Sequence, residues 1–268
     1  MNFLKKISSF LLIITVLVSC SKFTKLQKST DLDKKYEMAI QYFEKGDFVK
    51  SYMLLEELMP LYRGTTRGEN VYYYFTQCTF EQGDYTLAQY YFKNFVKQYR
   101  NSVHAEECAY MSAYCYYLNS PTYSLDQSDS KAAIKEFQMF INEHPNSERI
   151  KECNEIMDKL REKLERKSYE NAKLYYNTGD YKAAVVAFKN AITEFPGCKY
   201  NEELAYLIVK ANYTLAVNSV ESKKAERLKT TVESYFKFVD TYPKSLYLRD
   251  AEDIYTDALK QLDKIKPI

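Results

Sequence analysis

The 268-residue sequence contains no Trp, only two His, six Gly and six Pro, and its 38 Lys+Arg nearly balance its 36 Asp+Glu. Each scarcity excludes something. Without a basic excess there is little to neutralise phosphates, which argues against nucleic-acid binding. So few Gly and Pro cannot supply the turns of a β-sandwich or the phosphate loops of a glycine-rich α/β enzyme, so helix is the expected state. With His104 and His144 as the only histidines, neither beside a nucleophile or ligand partner, and with no GxSxG, HExxH, Walker-type or GxGxxG pattern, an enzyme is not expected and no cofactor or metal is implied. What is abundant is aromatic: 27 Tyr and 15 Phe. An AT-rich genome also writes many tyrosines, so their placement, not their number, carries information.

The N-terminus reads MNFLKKISSFLLIITVLVSC. Lys5 and Lys6 precede the apolar run Phe10 to Val18, a length suited to a signal-peptide core and too short to span a bilayer. Leu17-Val18-Ser19-Cys20 resembles the bacterial lipobox, which implies diacylglyceryl transfer to Cys20, cleavage before it, and a signal peptide over 1–19. By the enterobacterial sorting rule that comes with this resemblance, Ser21 in place of Asp directs the lipoprotein to the outer membrane. Lys5 and Lys6 account for the whole formal excess of +2, so the mature chain is neutral. Residues 20–30, with Lys22, Lys25 and Lys28, read as the lipidated Cys20 and a short flexible tether whose lysines face anionic head groups. The other cysteines, Cys78, Cys108, Cys115, Cys153 and Cys198, are odd in number, lack CxxC spacing and fall in helical patterns, so buried thiols are expected.

Internal repetition organises the rest. Gly46-Asp47, Gly83-Asp84 and Gly179-Asp180 are each followed by an aromatic (Phe48, Tyr85, Tyr181) and flanked by amphipathic stretches. The second stretches end alike, at Glu143-His144-Pro145, Glu194-Phe195-Pro196 and Thr241-Tyr242-Pro243, because Pro cannot continue a helix. Helix, Gly-Asp turn, helix, Pro at roughly 34 residues is the tetratricopeptide pattern, supported by small residues at Ala172, Ala184 and Ala191. Five units are expected: Asp31–Tyr62, Asn70–Arg100, Ala105–Pro145, Lys167–Pro196 and Glu202–Pro243, with insertions at Asn119–Ser130 and near Asn218–Lys224, a helix Arg149–Lys163 and a capping helix Leu246–Leu262. The expected fold is all-α, a right-handed superhelical solenoid whose N-terminal units occupy 31–148 and whose linker helix, remaining units and cap occupy 149–268.

Tyr36, Tyr73, Tyr110 and Tyr169 share one place in the first helices, the first three 37 residues apart, and Phe43, Phe80, Tyr117 and Tyr176 share a second place seven residues on. In unit five these places are expected to hold Ile208 and Leu215, where the ladder fades. Two readings stand: an aromatic groove for an extended peptide, formed by Tyr36, Phe43, Tyr73, Phe80, Tyr110, Tyr114 and Tyr117, or packing between repeats.

The lipobox, the tether, the five units, the insertion Ser124-Leu125-Asp126-Gln127-Ser128-Asp129, the ending Pro145-Asn146-Ser147 and the run Tyr175-Tyr176 to Gly179-Asp180-Tyr181 together resemble the BamD family of outer-membrane protein assembly factors, in a Bacteroidetes-like form. Departures are Arg100 where other units have Pro and Ser120 where others have the turn Gly. The resemblance implies an outer-membrane lipoprotein on the periplasmic face, docking by its C-terminal units on a POTRA domain of the barrel-forming BamA and receiving unfolded outer-membrane protein precursors in its N-terminal units. Two other classes share features: a tetratricopeptide lipoprotein coordinating peptidoglycan enzymes, which commonly has a coiled coil, and a SusD-type glycan-capturing lipoprotein, which would be about twice as long and favour Trp.

Overall fold

The computed structural model describes residues 22–265; the export segment 1–19 and Cys20 lie outside them. Among the described residues every regular element is a helix. The order is α1 (residues 22–27), α2 (Leu32–Glu44), α3 (Phe48–Tyr62), α4 (Thr66–Glu81), α5 (Tyr85–Gln98), α6 (Ala105–Asn119), α7 (Ser128–Glu143), α8 (Ile150–Asn177), α9 (Tyr181–Glu194), α10 (Asn201–Val217), α11 (Glu221–Thr241) and α12 (Leu248–Lys264).

The Gly-Asp turns behave as their chemistry requires. Gly46, Gly83 and Gly179 sit at φ of +75°, +82° and +84°, a left-handed conformation costly for residues with a Cβ. The following Asp47, Asp84 and Asp180 cap the next helix by accepting the N–H of Lys50, Leu87 and Ala183. The other helix ends are equally regular: Tyr99, His144, Phe195 and Tyr242 all hold φ between −125° and −127° and ψ between 57° and 75°, outside the helical region that a following proline disfavours. Tyr99 adopts this conformation although Arg100 follows, so the missing Pro leaves this ending unchanged.

The chain divides into two compact units. Unit 1 runs to Pro121 and resumes over Asp126–Met157, giving the hairpins α2/α3, α4/α5 and α6/α7 and the start of α8. Its core is built from large side chains, among them Leu54, Leu55, Leu58, Phe75, Phe92, Phe95, Phe137 and Phe140, all fully buried. Cys78, Cys108, Cys115 and Cys153 are buried there as free thiols, and burial raises each pKa: Cys78 and Cys153 to about 11, Cys115 to about 12, Cys108 further. In α4, a Cβ added at Gly68 would stand 2.3 Å from the Tyr62 carbonyl oxygen, so glycine is needed where α3 and α4 meet.

Unit 2 comprises Thr122–Leu125 and the chain from Asp158 onward. Its hairpins are the second half of α8 with α9, and α10 with α11, closed by α12. Here small residues carry the packing: Ala172, Ala184, Ala191, Ala211 and Ala251 are buried around Phe188, Val209 and Phe238. The loop residues assigned to this unit are fastened to α8, with Arg166 over the Tyr123 ring at 4.1 Å and Lys167 donating to the Leu125 carbonyl.

Three details differ from the sequence expectations. The flexible tether is, from residue 22 to 27, a helix: Phe23 and Leu26 lie three apart on one face, and Phe23 is buried against Tyr42 with ring centroids 5.7 Å apart at 84°. The helix expected over Arg149–Lys163 does not stop before unit four; α8 is one 28-residue helix, its charged run Lys159 to Lys167 continuing the helical ladder without a break. The second unit begins at Thr66, with Thr65 accepting the Gly68 N–H as N-cap.

Candidate functional site

The first-place tyrosines of the ladder join each hairpin to the one after it. Tyr73 in α4 stacks on His104, the residue capping α6, with centroids 3.8 Å apart and planes at 15°, and its hydroxyl donates to Glu107 Oε2 at 2.9 Å. Tyr169 in α8 repeats this in unit 2, stacking on Tyr200 at 4.2 Å and donating to Glu203 at 2.8 Å. At Tyr110 the stacking partner is a cation: the Arg149 guanidinium lies 4.3 Å from the ring centroid, and the hydroxyl bonds Glu152. Burial, then the hydrogen bond to the glutamate, pushes the Tyr73 and Tyr110 hydroxyls well above the usual tyrosine range, so both remain protonated donors.

A serine or, once, a cysteine sits beside each such joint. Ser102, Ser147 and Ser245 donate to Glu69, Glu106 and Glu202 at 2.5, 2.7 and 2.6 Å, and each Oγ also accepts the N–H two residues on, of His104, Arg149 and Tyr247. Cys198 takes the serine's place in the fourth unit and bonds Glu165. Each glutamate lies four residues before the tyrosine of its own helix, one turn along the same face. The unit is therefore Glu-x3-Tyr in one hairpin, gripped by Ser-x-(aromatic or Arg)-x2-(Glu or Asp) from the next.

This register corrects the assignment in unit five. The ring stacked on the next cap is Tyr206, 4.7 Å and 9° from Tyr247, not Ile208, and the second place is Tyr213, whose hydroxyl donates to Asp257. The ladder does not fade; it continues at the 37-residue spacing from Tyr169.

The seven residues expected to line a groove fall into two groups. Tyr36 packs on Tyr62 at 6.3 Å beneath Arg67, and Phe43 on Phe48 and Tyr74 at 5.5 and 5.0 Å. Tyr73 is held as above, Phe80 packs on Tyr85 and Phe92, and Tyr110 is 3% exposed. These five are engaged between helices. Tyr114 and Tyr117 are half-buried like Tyr36, Phe43, Tyr73 and Phe80, but they pack on rings of their own helix, Tyr114 stacked on Tyr110 at 5.6 Å and Tyr117 tilted against Tyr114 at 5.7 Å, and with half-buried Tyr116 and Leu118 they give α6 an apolar surface on several sides.

Clefts lie elsewhere, between successive second helices, among them one between α3 and α5 floored by Gly68 and Tyr72, a place the sequence gives no sign of because their floor residues have no common type. In unit 1 a cleft of about 440 Å³ between α5 and α7 has Val96, Met139 and Phe140 below Lys93, Arg100 and Glu143. In unit 2 one of about 470 Å³ between α9 and α11 has Ile192, Ile208 and Phe238 at its base. None of the seven expected groove residues lines any of these clefts. Among the described residues no group of His, Cys, Asp and Glu is placed to hold a metal ion, and no helix is long and apolar enough to cross a membrane.

A relative from Aquifex aeolicus (strain VF5) that carries the name of the outer membrane protein assembly factor BamD is 25% identical over 234 residues, covering 85% of this chain and 74% of its own. Among solved structures, the TPR2AB-domain:pHSP90 complex of yeast Sti1 is 14% identical with a TM-score of 0.38, covering 85% of this chain and 98% of that one. A tetratricopeptide repeat protein from Parabacteroides merdae ATCC 43184 is 12% identical with a TM-score of 0.35, covering 89% and 82%. Neither likeness bears on function. The profile of the family described as YfiO, outer membrane lipoprotein, matches residues 28–228 and again 167–265, and the chain therefore belongs to the YfiO family of outer membrane lipoproteins.

Proposed function

We propose that this lipoprotein is a non-enzymatic subunit of the outer-membrane β-barrel assembly machinery, anchored by acyl chains on Cys20 at the periplasmic face, docked on a BamA-like POTRA protein and receiving unfolded barrel precursors. The observation that carries the reading is the family match over residues 28–228, with the relative named for BamD alongside.

Within unit 1 the receiving surface is α6. Tyr114, stacked on Tyr110, and Tyr117, packed on Tyr114, offer half-buried rings that supply apolar area for an extended segment with aromatic side chains at little further cost in side-chain entropy. In unit 2 the docking surface for the POTRA protein is the aromatic cluster at the end of the chain. Tyr235 stacks on Tyr255 at 4.4 Å, and Phe236, 50% exposed, meets the same ring at 5.5 Å. An exposed phenylalanine fixed between two helices is a typical interface anchor.

The reading is tested by pull-down from detergent-solubilised outer membranes. A POTRA-barrel protein is expected to co-purify, whereas recovery of peptidoglycan enzymes alone would replace this reading with the cell-wall one. For the receiving surface, Tyr114→Ala with Tyr117→Ala should weaken binding of a barrel C-terminal peptide at least tenfold, and an unchanged affinity sinks that assignment.

A further inference from the structure

The short helix α1 has two faces. Phe23 and Leu26 are directed into the unit 1 core, where Phe23 lies 8% exposed against Tyr42 with Lys50 6.0 Å over its ring. On a helix of 100° per residue, Lys22 and Lys25 fall on the remaining face, Lys28 follows in the turn that ends the helix, and all three are exposed. Residues 21–30 contain these three lysines and no acid. The rest of the mature chain is charge-mixed, so this is a local concentration in a protein whose overall charge is neutral. One residue, Ser21, separates this helix from Cys20.

We propose that α1 is a seat on the bilayer surface: its lysines bind the phosphates of anionic lipid head groups, while Phe23 fixes the helix, and with it the α2–α3 turn, to the membrane. The position next to the bilayer rests on the acylation of Cys20 proposed above; the charge complementarity does not. A flexible tether of ten residues would let the protein body wander about 15–20 Å from its anchor. A helix starting two residues after the anchor and buried by Phe23 removes that freedom and presents unit 1 to the membrane by its α1 edge. Each lysine near an anionic surface strengthens binding about fivefold, and three together on the order of a hundredfold, an effect weakened by salt.

Two experiments test this. The first uses the mature chain with Cys20→Ala, free of lipid, sedimented with phosphatidylcholine vesicles with and without phosphatidylglycerol. Binding is expected only to the anionic vesicles, falling with added salt and lost by about a hundredfold in the Lys22→Gln, Lys25→Gln, Lys28→Gln variant. Equal binding by the variant, or none by the parent, overturns the lysine contact irrespective of whether Cys20 is acylated. The second uses the acylated protein, shown to be so by the mass of its N-terminal peptide, with a fluorophore at Lys45 beside the α2–α3 turn and an acceptor on the lipid head groups. Phe23→Ala is expected to reduce energy transfer; identical transfer in parent and variant means that α1 does not seat the body.

Discussion

The two units repeat the same connection between hairpins but fill their interiors differently. In unit 1 volume is concentrated in a few large rings, Phe75, Phe92, Phe95, Phe137 and Phe140, with cysteines between them. In unit 2 alanines at 172, 184, 191, 211, 251 and 258 let helices approach closely around Phe188 and Phe238. The same helix hairpin can thus be stabilised by filling space or by removing it. The rings of unit 1 are the larger target for truncation, whereas enlargement threatens the buried alanines of both units, Ala39, Ala88, Ala113 and Ala133 of unit 1 among them.

That contrast can be broken experimentally. Phe92→Ala leaves a cavity in unit 1 and should cost about 3–5 kcal/mol, read as a lower melting temperature by circular dichroism. Ala211→Leu in unit 2 should cost about 1–3 kcal/mol by overpacking, and so should Ala88→Leu at a fully buried alanine of unit 1, whereas Gly68→Ala in α4 drives a Cβ into the Tyr62 carbonyl. If Ala211→Leu proves neutral, the small-residue account of unit 2 is wrong.

The connection between hairpins comes next in size. Tyr73→Phe strands the Glu107 carboxylate and should cost about 1.5 kcal/mol in chemical denaturation, a charged hydrogen bond being worth more than a neutral one. Tyr206→Phe, whose contribution is the stacking on Tyr247, should cost less than about 0.5 kcal/mol. Equal losses would mean the hydroxyl contributes nothing at Tyr73.

The thiols sharpen the comparison with the smallest perturbation. Cys78, Cys108, Cys115 and Cys153 in unit 1 are buried, while Cys198 in unit 2 is half-buried. A disulfide reagent at pH 8 should therefore modify Cys198 in the native protein and the other four only on unfolding. The pKa shifts also fix a pH dependence. In the native state Cys78, Cys115 and Cys153 ionise near pH 11 to 12, but in the unfolded chain near 8.5, so the unfolded state loses protons first as pH rises. Stability is constant below about pH 8 with respect to these groups and declines between about pH 8.5 and 11, by at most about 1.4 kcal/mol per pH unit for each thiol. Melting curves at pH 7, 9 and 10 check the sign.

Turns and caps were readable because each depends on a few adjacent residues: Gly-Asp needs a left-handed glycine and a capping carboxylate, and Pro needs a predecessor that has left the helical conformation. The ladder was readable as a period but not as a mechanism. Its partner in the next hairpin is His104, Arg149, Tyr200 or Tyr247, residues alike in being flat and able to cover a ring but unlike in chemical class, so no single pattern marks them. The helical tether was missed because one phenylalanine in a lysine-rich stretch looks unremarkable until Tyr42 and Lys50 are seen to receive it.

The interlock of Glu, Tyr and Ser has a consequence for how this chain can change length. The serine-to-glutamate contact spans 33 residues at Ser102–Glu69 but 41 at Ser147–Glu106 and 43 at Ser245–Glu202, with no change in bond length beyond 0.2 Å. All its members sit where a second helix ends and the next first helix begins. The turn between first and second helices, at the opposite end of each hairpin, carries the long insertion before α7 and tolerates it. New sequence can therefore be acquired at those turns, one repeat at a time, without disturbing the joint between neighbours, and it is there that relatives of this protein are expected to differ most in length.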